Sequence, residues 1–116
     1  MSGNTQRQWQ QVRRGPPKDA LQLVEDAVIP TPQNGEVLVK VAYATTTPAS
    51  WKMMQVLPSF MRRRAVPELE ASGRVVDPNG SDFAKGTEVM GIVDEGDHFK
   101  KRRGVLSEYA LFKVSQ

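Results

Sequence analysis

Gly35-Glu36-Val37-Leu38-Val39-Lys40-Val41-Ala42-Tyr43-Ala44 runs into Thr45-Thr46-Thr47-Pro48. In an extended chain successive side chains point to opposite faces, so Val37, Val39 and Val41 share one face and Leu38, Lys40 and Ala42 the other. A β-branched run opened by the turn Gln33-Asn34-Gly35 and closed by Pro48 reads as a central strand. Its valine face must be covered by the rest of the domain. Polar Thr45 to Thr47 follow where the strand ends, and then Trp51, Met53 and Met54. Polar groups beside large, adaptable side chains at a strand end are a common way to build a pocket.

On either side the chain reads as more short strands. Gln6 to Arg13 is a polar strand carrying Trp9, and Gly15-Pro16-Pro17 turns it. Ala20 to Val28 is a second strand, ended by Pro30 and Pro32. Glu70 to Val76, Thr87 to Val93 and Val105 to Phe112 resume strand character, with the strong turn Pro78-Asn79-Gly80-Ser81 between the first two. Pro48 to Gln55 is helical for one or two turns, because Pro48 suits a first helical position and Leu57-Pro58 ends it. Arg62 to Pro67 reads as a loop, and Asp94 to Gly104 as a charged surface loop. The expected fold is mainly β: a partly open β-barrel with one or two short helices.

The composition agrees. At 116 residues the chain has room for one domain. We expect residues 1–5 to be disordered and 6–116 to form a single domain. Nine glycines and eight prolines favour short strands over long helices. The absence of cysteine excludes disulfides and thiolate metal sites. There is no apolar run of membrane-spanning length, and the polar start Met1-Ser2-Gly3-Asn4 lacks a signal peptide's apolar core. A cytoplasmic protein without membrane contact is the expectation. The net charge of +3 is concentrated in Arg62-Arg63-Arg64 and Lys100-Lys101-Arg102-Arg103. Lys100 to Arg103 with Phe99 could bind phosphates or serve as a nuclear signal, but without interleaved aromatics the run reads better as a solvated loop, so no nucleic-acid partner is expected. The single histidine, His98, sits with Asp94 and Asp97. A charged surface loop explains that trio better than a metal site does.

Several stretches fit the motifs of one family, in its order. Pro32 to Val41 fits a proline followed by Gly-Glu-Val-Leu-Val-Lys-Val, and Thr47-Pro48-Ala49-Ser50-Trp51-Lys52 fits Asn-Pro-x-Asp-Trp-Lys. Pro67 to Val76 fits Pro-Gly-x-Asp/Glu-x-x-Gly-x-Val. Phe83 to Gly91 fits Phe-x-x-Gly-Asp-x-Val-x-Gly, and Gly104 to Leu111 a Gly-x-x-x-Glu-Tyr strand. Over nearly its whole length the chain resembles the N-terminal, GroES-like catalytic domain of the medium-chain dehydrogenases and reductases. It is most similar to their zinc-free quinone oxidoreductase and enoyl reductase branch.

The departures are as informative. Zinc members place a cysteine and a histidine where this chain has Thr46-Thr47 and Glu68-Leu69-Glu70, and Glu70 alone cannot hold zinc. Thr47 and Ser50 replace the Asn and Asp of the zinc-free motif, and the tyrosine that enoyl reductases place shortly afterwards has no counterpart. The resemblance implies a Rossmann domain that would take NADPH, together with a final segment that completes the catalytic lobe. Neither stands in this sequence, which has no Gly-x-Gly-x-x-Gly turn. The expectation is therefore no cofactor in this chain, and NADPH only where a Rossmann domain is supplied elsewhere.

Thr46, Thr47, Ser50, Trp51 and Met54 are the candidate substrate-binding residues by position. The plainer reading is that the threonines cap the helix and that Trp51 and the methionines fill the barrel end. Glu70 is the candidate acid or base, provided it is buried beside that pocket, where desolvation would raise its pKa. The plainer reading there is a carboxylate bonded to a neighbouring loop. Two functions follow. One is the substrate-side lobe of a quinone or enoyl reductase, inactive in redox chemistry by itself. The other is a stand-alone domain that binds a small apolar molecule or catalyses a cofactor-free cyclisation, dehydration or isomerisation. The expected partners are a small apolar molecule and either a second copy or a cofactor domain.

Overall fold

The computed structural model describes residues 5–114. Of the segment expected to be disordered, residues 1–4 lie outside the described residues, and Thr5 already belongs to the first strand. Strand β1 (Thr5–Gln11) pairs antiparallel with β2 (Leu21–Val28), and the single turn α1 (Pro17–Ala20) joins them. Then follow β3 (Glu36–Ala44), α2 (Pro48–Val56), α3 (Ser59–Arg62), β4 (Glu70–Asp77), β5 (Glu88–Ile92), α4 (Glu95–Lys100) and β6 (Tyr109–Lys113). The four later strands make one antiparallel sheet in the order β5-β4-β3-β6. The β1–β2 hairpin is joined to the segments leading into β6 and β4 by isolated bridges from Gln8 to Ser107 and from Gln11 to Ala65. The two sheets do not close into a full barrel.

The valine run takes the central place expected of it. β3 is paired on both sides, and Val37 and Val39 are buried while Lys40 is exposed. With Ala71, Val75, Val93, Val105, Ala110 and Phe112 they form the core cluster. Each buried valine contributes about 1.5–3 kcal/mol of transfer free energy. A bulge between Val41 and Tyr43 shifts the register against β4, so that Tyr43 pairs with Ser72 and Ala44 with Ala71. Gly73 is required where β4 crosses β3, because a Cβ there would collide with the Lys40 carbonyl.

Among the described residues four helical segments stand where one or two were expected. Two of them are single turns. The more telling one is α4, within the stretch read as a charged loop. Asp94 caps it, its carboxylate accepting from the Asp97 amide at 3.1 Å. Acidic residues in its first turn and Lys100 in its last suit the helix dipole. Its inner side buries Asp97 and His98, and His98 is only 2% exposed. Arg62, expected to open a loop, ends α3 and is 3% exposed. No helix among the described residues is long and apolar enough to cross a membrane.

Candidate functional site

α2 begins where it does because Thr47 is a good N-cap and Pro48 a good first helical residue. The Thr47 hydroxyl oxygen accepts from the Ser50 amide at 3.3 Å. Against this turn lies the Glu68 carboxylate, 4% exposed. It accepts from the Thr47 amide (3.3 Å), the Thr47 hydroxyl (3.3 Å) and the Ser50 hydroxyl (3.0 Å). The two hydroxyls also lie 3.3 Å apart, so Thr47, Ser50 and Glu68 form one network. A negative charge at a helix N-terminus is favoured by the backbone dipoles, so Glu68 ties the strand-end turn to the approach to β4. Its backbone has φ 69°, in the left-handed region. The resemblance puts a glycine at this place, which would adopt that conformation without strain. Here a glutamate adopts it, and the turn directs its carboxylate inward.

A cavity of about 10 Å³, space for about one water, lies beside this cluster, lined by Ser50, Met54, Arg62 and His98 among others. Arg62 donates to the His98 carbonyl (3.2 Å) and lies 3.0 Å from His98 Nε2. A guanidinium only donates, so Nε2 accepts and the imidazole is neutral, with its proton on Nδ1 given to the Arg103 carbonyl at 2.5 Å. Burial is the main cause holding His98 below its ordinary pKa. The Arg62 charge adds to it and the Arg103 carbonyl opposes it. Arg62 also stands 5.2 Å over the Phe99 ring.

A larger feature opens on the outer side of the sheet, where β3, β4 and β5 meet. This hollow of about 450 Å³ is walled by Tyr43, Thr45, Glu70, Met90 and Ile92, with Ala44, Ala71, Ser72 and Gly91 behind them. Tyr43 is 78% exposed, Met90 86% and Ile92 62%, an unusual run of apolar side chains in water. Thr45 closes one end, its amide and hydroxyl both donating to the Glu70 carbonyl.

The residues singled out from the sequence fall into separate groups. Thr47 and Ser50 come together, joined by Glu68. Met54 is buried beside them, and Thr46 and Trp51 are exposed. None of these five lines the large hollow. Glu70 does line it, but it is exposed and not buried as expected. Strand alternation is the reason: Ala71, Gly73 and Val75 face the core, which leaves Glu70 and Arg74 facing out. The buried carboxylate is Glu68, two residues earlier. Its signal in the sequence was a glutamate in a glycine's place. Asp94, Asp97 and His98 do not converge: Asp94 caps α4, Asp97 meets Lys101 and Arg103, and His98 points into the interior.

Comparison with known proteins bears on what this arrangement serves. Residues 33–116 match the alcohol dehydrogenase GroES-like domain family. A chloroplastic quinone-oxidoreductase homolog of Spinacia oleracea is 33% identical over 100 residues, which is 82% of this chain and 29% of that protein. The solved quinone oxidoreductase of Coxiella burnetii is similar at 25% identity and a TM-score of 0.69, over 93% of this chain and 34% of its own. The human synaptic vesicle membrane protein VAT-1 homolog-like protein shares the fold, with a TM-score of 0.73 at 21% identity over 93% of this chain and 31% of its own. The chain thus spans about a third of the length of the proteins it matches.

Proposed function

This chain belongs to the alcohol dehydrogenase GroES-like domain family, and we propose that it is the substrate-side lobe of a zinc-free, quinone oxidoreductase-type reductase. The observation that carries the proposal is the open apolar hollow at the ends of β3, β4 and β5. Tyr43, Met90 and Ile92 are suited to hold a flat apolar ring. Glu68, Thr47 and Ser50 fix the turn behind it. They are its supports, and Ser50 and Glu68 lie too deep to reach a bound molecule.

Reduction needs a hydride source held against this hollow. All strand pairs among the described residues are antiparallel, and the longest helix has nine residues. A dinucleotide site of the parallel βαβ kind does not fit them. Nor does the oxygen-only set of Glu68, Thr47 and Ser50 fit tetrahedral zinc. The chain's own part is to bind and orient the molecule that is reduced, and the hydride comes from a cofactor domain.

The test is a backbone amide NMR titration with an alkyl-substituted benzoquinone and, separately, with NADPH. We expect saturable shifts at residues 43–45, 70–72 and 90–92 with the quinone, lost in a Met90→Lys/Ile92→Lys variant, and no saturable NADPH binding. Quinone shifts elsewhere, or none, would remove the hollow as the substrate site. Saturable NADPH binding would overturn the division of labour. Glu70 on the rim of the hollow supports a second reading, cofactor-free acid–base chemistry by a stand-alone domain. A cofactor-free turnover unchanged in Glu70→Gln would dismiss that role.

A further inference from the structure

The two basic runs of the sequence, about 40 residues apart, meet at one place in the fold. A hollow of about 350 Å³ between the β1–β2 hairpin and the 101–111 segment is lined by Arg64, Lys101 and Arg102. Gln8, Ser107 and Tyr109 add neutral hydrogen-bonding groups, and Val28 and Leu111 add apolar wall. No carboxylate lines it. Among the described residues neither Arg64 nor Arg102 has a carboxylate partner, whereas Arg103, which also lines the hollow, is committed to Glu36 at 2.7 Å and Asp97 at 3.4 Å. Lys101 has only an exposed pairing with Asp97 at 3.6 Å.

Backbone geometry supplies a second, independent sign. Only four non-glycine residues among those described have positive φ, and two of them are Arg64 (65°) and Arg102 (58°). Such a conformation is uncommon for a long side chain and persists where surrounding structure enforces it. Here the enforcement is visible. The Arg64 amide donates to the Gln11 carbonyl at 2.7 Å, and the Val66 amide to the Arg102 carbonyl at 3.1 Å. The Arg102 guanidinium is itself held by the carbonyls of Phe60 and Arg63. Two left-handed turns from distant parts of the chain thus present arginines to one hollow.

We propose that this hollow binds a small organic phosphate: a phosphate monoester whose oxygens meet Arg64, Lys101 and Arg102, and whose organic part rests on the apolar wall. Guanidinium and ammonium groups are strong, charge-assisted donors to phosphate oxygens. The volume exceeds what a bare phosphate fills. The hollow shares no residue with the reductase site, so the proposal stands apart from that reading.

Phenyl phosphate is the probe, titrated at constant ionic strength and followed by backbone amide NMR. We expect saturable shifts at Arg64, Lys101, Arg102 and Ser107. Binding should be at least about tenfold weaker in Arg64→Gln/Lys101→Gln, since even one lost charge-assisted contact is worth about that much. Lys18→Gln/Lys85→Gln, elsewhere on the surface, should leave it unchanged. If the double variant unfolds, Lys101→Glu alone, on an exposed side chain, must weaken binding in the same direction. The proposal is overturned by shifts that never saturate, by shifts centred elsewhere, or by equal binding in all variants. It is overturned too if a short single-stranded oligonucleotide displaces the probe with an affinity that grows with its length, which would make the patch a nucleic-acid surface.

Discussion

Glu68 keeps its carboxylate inside the domain although a left-handed backbone costs a glutamate about 1–2 kcal/mol. Three hydrogen bonds to a charged acceptor outweigh that cost, at about 1.5–3 kcal/mol each. We expect Glu68→Gln, which keeps the shape and loses the charge, to lower the urea unfolding free energy by about 1–3 kcal/mol. An unchanged midpoint would show that the carboxylate is dispensable. His98 makes a different prediction. Its pKa in the fold lies below the unfolded value of 6.5, so between the two the unfolded chain binds more protons. Stability is therefore complete above pH 6.5 and declines as pH falls from there towards the folded pKa. In His98→Gln the decline across this window should vanish from pH-dependent unfolding curves. Neither group was legible by type. Glu70 has the better strand context, and it takes the backbone sign at residue 68 to choose between the two glutamates. His98 stands among charges in sequence, and in the fold Arg62 comes from another element to meet it while its other ring nitrogen faces the Arg103 carbonyl.

At the level of elements, α2 and β3 were readable because each signal was local: alternation, a threonine cap, and prolines at the right places. α4 was missed because Gly96 and the five charged residues from Asp94 through Lys101 mask a short helix whose cap is Asp94. The α2 cap and the Glu68 cluster are one unit. We expect Thr47→Ala to cost about 1–2 kcal/mol, since it loses a cap and a donor to Glu68. Thr47→Ala/Glu68→Gln should then cost less than the two single changes together, as thermal or urea unfolding can measure. Additive losses would mean that the two groups act separately. The β3–β4 crossing is stricter. Gly73→Ala drives a methyl group into the Lys40 carbonyl and should cost about 3 kcal/mol or prevent folding. Gly80→Ala meets open space and, at φ 78°, should cost only about 1 kcal/mol.

For the whole molecule, the mainly β, open architecture followed from many short strands and frequent turns, and its sheet order β5-β4-β3-β6 from pairings that no local pattern encodes. Long-range ion pairs are of the same kind. Burial disfavours ionisation of Glu36, yet the Gln33 amide and the Arg103 guanidinium together hold its pKa below the usual value. Asp94 and Glu108 are lowered too, Asp94 first by the Asp97 amide and Glu108 first by the Arg7 amide. All three therefore favour the fold above their unfolded pKa and withdraw that support as pH falls through the folded values. We expect acid unfolding to set in below about pH 4.5, and Arg103→Gln to move it to higher pH. The place of β6 has a consequence in time. It pairs with β3 across partners such as Val39 and Ala110, about 70 residues apart in sequence, and such distant pairings fold slowly. During synthesis β3, β4 and β5 emerge first, with one edge of the central strand unfilled. The sheet can be completed only when the ribosome releases β6, and until then that edge is what a chaperone or a neighbouring nascent chain would meet.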